Sequence, residues 1–464
     1  MTFNSINFAL FLPIFLILFY STYKQERLRD IILLIGSYIF YMFWYWQYAA
    51  LIALSTIVDF HIGKRLDSEK QQNRLALLIT SLTVNLGILA TFKYYNFFYE
   101  SSQLALGLFG IFIPDLYHQL LLPVGISFYT FQTLSYTIDI YRKKISHEPS
   151  FTKFAVFVSF FPQLVAGPIV RAKDFLPQIN SPITINSKDW ELGFQMIFLG
   201  LFKKIIIADL LAYLAVDAVF DNPSTFSSFD LLMGIYAYSF QIYCDFSGYS
   251  DIAIGIALLL GLKLPINFNR PYLAQSPSDF WKRWHISLSG WLRDYLYISL
   301  GGNKGSRFFT YRNLMITMLL GGLWHGAAFN FLLWGAFHGL ILILTRNAII
   351  EQSFNLKMIG KIIINFHLIA FSWLLFRVSD INTFNEYIGG LSELSLTSSL
   401  SPLFYLVLST AIIAHVIPRN FIERITTKDF IALPTLFKSS VYAGLLLLFV
   451  GASIGTPTFI YFQF

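Results

Sequence analysis

Long apolar windows dominate the chain. Residues 8–20, 31–54, 231–262 and 314–345 carry almost no charge. A bilayer crossing takes about 20 apolar residues, so several windows hold one crossing or more. Counted this way, the pattern predicts about ten or eleven spanning helices, with some stretches re-entrant. Polar breaks fall at 142–149 and 181–189, and longer loops at 351–361 and 379–401. The absence of an internal repeat speaks against transporters built from duplicated halves. One membrane-embedded domain over 1–464 is expected.

Composition sharpens this. Apolar residues make up 56% of the chain and charged residues 13%, too few charges to cover a water-soluble surface of this size. No basic residue precedes the first apolar run and no small-x-small site follows it, so the N-terminus reads as a first span and not a cleaved leader. The net charge of +7 sits in clusters at 24–29, 64–74 and 142–144. Alternating spans put all three on the cytoplasmic side, with the N-terminus outside. The single cysteine, Cys244, excludes an internal disulfide or multi-thiolate metal site. His61, His118, His147, His367 and His415 lack metal-ligand spacing, so no metal is expected.

Polar chemistry concentrates between Tyr243 and His338. Segment 280–297, FWKRWHISLSGWLRDYLY, projected at about 100° per residue, places Trp281, Trp284, Leu288, Trp291, Leu292 and Tyr295 on one stripe. Lys282, Arg283, Ser289, Arg293 and Asp294 oppose it, which predicts an amphipathic interfacial helix with His285 on the apolar side. His325 lies in LLGGLWHGAAFNFLLWGAFHGL, and Gly322 with Gly326 allows close helix approach. An ionisable group at that depth faces a polar cavity or a partner. Helix–helix hydrogen bonding is the structural alternative for His325, and a core hydrogen bond the alternative for His285. His338 should not share a helical face with His325 and reads as packing or support. In YCDFSGYSD, Asp245 and Asp251 project about 120° apart and do not suit a shared-proton pair. Gly248 is a candidate helix break, with Asp245, Ser247 and Tyr249 as candidate lining of a polar tunnel.

Acyl transfer from a thioester to a hydroxyl needs a base for the hydroxyl proton and donors for the developing oxyanion. A buried, neutral His325 suits the first task, and His285 is placed to orient the donor or polarise its carbonyl. Lys282, Arg283 and Arg293 could meet the phosphates of coenzyme A. Nothing in the sequence marks a serine triad. The end of the chain, FIYFQF, reads either as an interfacial aromatic anchor or as a tucked tail with Tyr461 as an acceptor.

Five blocks together resemble the membrane-bound O-acyltransferase family in its bacterial alginate and peptidoglycan O-acetylation branch. They are LLPVGISFYTFQTLSYTIDIYR, FFPQLVAGPIVRAKDFLPQ, YCDFSGYSDIAIG, DFWKRWHISLSGWLRDYLYISLGGNKG and GGLWHGAAFNFLLWGAFHGL. The resemblance implies an all-α polytopic fold, a horseshoe of helices with re-entrant and interfacial pieces around a central tunnel, in the bacterial cytoplasmic (inner) membrane. It implies cytosolic acetyl-CoA as donor, no permanently bound cofactor, and catalysis by the histidine of the WHG block, His325, with His285 in the same site. It further implies a relay to an extracytoplasmic SGNH-type transferase and an envelope polysaccharide. FIYFQF is similar to the C-terminal motif of a small partner protein in teichoic acid D-alanylation, which implies Tyr461 as the intermediate acceptor. Membrane lipids are expected neighbours and nucleic acid is not. Two other activities stay open at this point, transport of a lipid-linked sugar and acylation of a lipid or protein.

Overall fold

The computed structural model describes residues 1–68, 71–111, 120–418, 421, 430, 432–453 and 460. Among the described residues the secondary structure is helical, without strands. Five stretches are long and apolar enough to cross a membrane: Glu26–Ser68, Asn73–Gly107, Ser228–Leu259, Leu356–Arg377 and Thr435–Ala452. Shorter apolar helices run Ile6–Thr22, Phe329–Leu344 and Pro402–Val416. The helix Ile6–Thr22 shows what surrounds the protein. It buries Phe8, Phe15 and Phe19, and turns Ile6, Leu10, Ile14 and Ile17 outward at 61% exposure or more. Outward apolar stripes of this length are what hydrocarbon requires of a spanning helix. The protein is a polytopic, all-α membrane protein.

The chain forms two compact units. The first comprises residues 1–186 and 257–264. Its centre is the helix Ile126–Tyr141, buried along nearly its whole length although rich in Ser, Thr and Gln. Buried hydroxyls and amides on such a helix are stabilised where they find partners. It packs on Ala49–Ser68 and Gln71–Leu89, and these three helices share one polar knot. Asp59 Oδ1 accepts the Ser81 hydroxyl at 2.6 Å, and Asp59 Oδ2 accepts the Asn85 amide at 2.8 Å. Asn85 Oδ1 in turn accepts Ser55 Oγ at 2.6 Å and Thr133 Oγ1 at 3.2 Å.

The second unit comprises residues 187–256 and 265–464. The helix Ser228–Leu259, which belongs to this unit as far as Ile256, is its buried axis and runs unbroken through Gly248. The candidate break at Gly248 is therefore corrected: the glycine serves close approach. A Cβ at Gly248 would stand 2.7 Å from the Gly200 carbonyl oxygen, and one at Gly255 2.5 Å from that of Gly193. Helix Ser187–Leu201 thus lies backbone against backbone on the axis, as small residues at helix crossings permit. The continuation Phe202–Asp209 widens to i→i+5 hydrogen bonding, a form common at functional sites.

The amphipathic segment 280–297 is the second correction, because it is not one helix. Pro277–Trp281 ends in a turn, Ile286–Trp291 begins anew, and Leu292–Tyr297 continues as a wide helix. The burial pattern nevertheless follows the stripe, with Trp284, Leu288, Trp291, Leu292 and Tyr295 all buried. Apolar side chains fix which face turns inward even where local hydrogen bonding interrupts the helix.

Candidate active site

The interruption falls on His285. Its φ of 42° is left-handed, a conformation costing a non-glycine residue about 1–2 kcal/mol. Neighbouring bonds hold it there. Ser276 caps Pro277–Trp281 by accepting the Asp279 N–H at 3.2 Å, and Asp279 pairs with Arg283 at 2.8 Å. The irregular segment around Asn267 then takes up the broken backbone. Ile286 N–H donates to the Asn267 carbonyl at 2.9 Å, and Asn269 N–H donates to the Arg283 carbonyl at 2.8 Å.

Asn267 also fixes the chemistry of the ring. Its Oδ1 accepts the Ser287 backbone N–H at 3.1 Å and the Ser287 hydroxyl at 2.8 Å. A backbone N–H can only donate, so this atom is the amide oxygen. It lies 3.3 Å from His285 Nδ1, so Nδ1 carries the proton and Nε2 is the acceptor nitrogen. His285 lies outside the spanning helices and is fully buried, and burial pushes its imidazole down to about 3. The ring is neutral at physiological pH.

His325 comes from another helix of the same unit. It ends the helix Arg307–His325, and Phe329–Leu344 starts three residues after Gly326. The reversal requires the glycines: a Cβ at Gly326 would stand 2.0 Å from the Phe331 ring, and one at Gly322 2.2 Å from the Phe331 carbonyl oxygen. The His285 and His325 rings lie 6.5 Å apart, centre to centre. Both are buried, and aromatic rings enclose them. Phe246 lies 4.6 Å and Trp324 5.7 Å from His285, and Trp334 lies 5.1 Å from His325.

The remaining sequence-derived candidates divide. His338, on a separate helix from His325, bonds Ser372 Oγ at 3.1 Å and packs 4.6 Å from Trp334, a supporting position. Lys282 and Arg293 are exposed, and Arg293 bonds its neighbour Asp294 at 2.7 Å. On the unbroken helix Asp245 and Tyr249 stand one turn apart, with Ser247 on the opposite side. All three are buried. Asp245 pairs with Lys204 at 2.8 Å and Asp251 with Lys203 at 2.6 Å, so the two carboxylates are separated as their spacing predicts. Tyr461 lies outside the described residues. No group of metal-binding side chains occurs among the described residues. Two contributors escaped sequence reasoning. Asn267 sits in LPINFNRP, which has no helical or strand period to single it out. Lys204 lies beside Lys203 in an otherwise apolar stretch, with no spacing that pairs it with Asp245.

Residues 141–379 match the membrane-bound O-acyltransferase family. A probable alginate O-acetylase of Pseudomonas aeruginosa is 45% identical over 82% of this chain and 73% of its own length. A peptidoglycan O-acetyltransferase of Helicobacter pylori is 35% identical over 83% of this chain and 77% of its own. A teichoic acid D-alanyltransferase of Streptococcus thermophilus is 32% identical over 48% of this chain and 56% of its own.

Proposed function

The chain belongs to the membrane-bound O-acyltransferase family, and on that premise we propose that it moves acetyl groups from cytosolic acetyl-CoA towards an envelope polysaccharide. Relatives named for O-acetylation of alginate and of peptidoglycan support an envelope glycan as the final acceptor. The observation that carries the reading is the pair of buried imidazoles 6.5 Å apart in a single unit.

His325 takes the proton of the acceptor hydroxyl as the oxygen attacks the thioester carbonyl. The carbon–sulfur bond then breaks, and the proton passes to the departing coenzyme A thiolate. His285, with Nε2 as its acceptor nitrogen, receives a hydrogen bond from the substrate and holds it against His325. Aromatic walls exclude water, which strengthens polar contacts and suppresses hydrolysis of the thioester. Lys282, Arg283 and Arg293 meet the donor phosphates at the cytosolic face of the inner membrane. Tyr461 is the hydroxyl that first receives the acetyl group, and an extracytoplasmic SGNH-type transferase carries it to the glycan.

The test uses purified protein in liposomes with radiolabelled acetyl-CoA. Wild type is expected to acquire label on Tyr461, and His325→Ala to acquire none while still inserting and folding. Full labelling of His325→Ala would overturn the assignment.

A further inference from the structure

Away from the histidines, the second unit buries a charged cluster with an unusual fourth member. Lys204 Nζ lies 2.8 Å from both Asp245 Oδ1 and Asp209 Oδ1. The other Asp245 oxygen accepts the backbone N–H of Ile460 at 2.7 Å, across 215 positions of sequence. The Ile460 side chain is buried among the apolar residues of the same unit. One carboxylate thus answers a lysine with one oxygen and the end of the chain with the other. Charge-assisted bonds of this kind are about twice as strong as neutral ones.

The cluster borders a cavity of about 20 Å³, lined by Lys204, Asp209, Tyr238, Gln241, Arg377 and Ile460 among others. That is room for about one water molecule. The Tyr238 hydroxyl and the Gln241 side-chain oxygen have no hydrogen-bond partner among the described residues. Both are buried, and both line the cavity. A polar pocket of this size beside Ile460 fits a single water that would answer both groups.

We infer that Asp245 is a positioning residue that fixes the register of the C-terminal segment by holding the Ile460 N–H. This rests on the reading that Tyr461, the next residue in sequence, is the acyl acceptor. A bond to a main-chain group takes no notice of side-chain identity. The buried Ile460 side chain selects which residue sits there, and the bond to its N–H fixes the backbone from which the next residue projects. Lys204 holds the carboxylate from its other oxygen.

The experiment treats full-length protein in micelles with carboxypeptidase and follows the tail by intact mass. Wild type is expected to resist loss of residues 462–464. Ile460→Pro removes the one N–H and leaves the Lys204–Asp245 pair intact. It should lose residues 462–464 at least tenfold faster and lose Tyr461 labelling at least tenfold, with acetyl-CoA affinity within twofold of wild type. Asp245→Asn, which keeps an oxygen and loses the charge, should fall between the two. An Ile460→Pro protein that stays protected and labels normally would overturn the inference. Faster trimming of Ile460→Pro together with an unlabelled wild-type Tyr461 would uphold the latch and defeat the acceptor role.

Discussion

Two buried polar regions, one in each unit, serve different ends. In the first, Asp59 gives both oxygens to Ser81 and Asn85, and Asn85 bonds Ser55 and Thr133 in return. The knot is closed on itself and ties three helices together. In the second, Asn267 bonds His285 with His325 6.5 Å away, and Asp245, paired with Lys204, accepts the Ile460 N–H. A network that consumes its own hydrogen-bonding capacity stabilises, whereas one that leaves Tyr238 and Gln241 facing a cavity has capacity for something else.

Substitutions in each region test the contrast. The largest effect is expected from His325→Ala, a loss of acetyl transfer of about 10³-fold, the scale of a removed general base, read from labelled acetyl-CoA with the folded fraction unchanged. Asn267→Ala should lower transfer by about 10²-fold, since the orienting partner of an imidazole governs its tautomer. Its defect should lie in kcat more than in KM for acetyl-CoA. Asp59→Ala should do the reverse: unfolding in micelles becomes easier by about 1–3 kcal/mol, as expected for buried donors left unpaired, and turnover per folded molecule is preserved. A catalytic collapse in Asp59→Ala would erase the distinction between the units. Smallest of all, Lys282→Ala and Arg293→Ala should each raise KM for acetyl-CoA about two- to fivefold, because both side chains are exposed and exposed charges are worth about 1 kcal/mol or less.

The sequence made the general plan legible and hid particular joints. Apolar length announces a membrane protein, and His325 stands out because an ionisable group in a charge-free run demands an explanation. The stripe from Trp284 to Tyr295 predicts burial correctly, yet the helix it implies is broken at His285. Periodicity records which side chains face inward and says nothing of a backbone turned by a remote asparagine. Gly248 misleads in the opposite sense. Glycine marks both breaks and close crossings, and only the position of Gly200 decides between them.

The adjacent lysines of the wide helix carry one more consequence, for assembly. Lys203 and Lys204 each grip a different carboxylate of Ser228–Leu259, Asp251 and Asp245. Those two acids are spaced about 9 Å along that helix. Without their cations, each would oppose entry into lipid by about 2.5–3.5 kcal/mol. During synthesis the two segments are therefore best released from the insertion machinery as a pair, the earlier one waiting for the later to emerge.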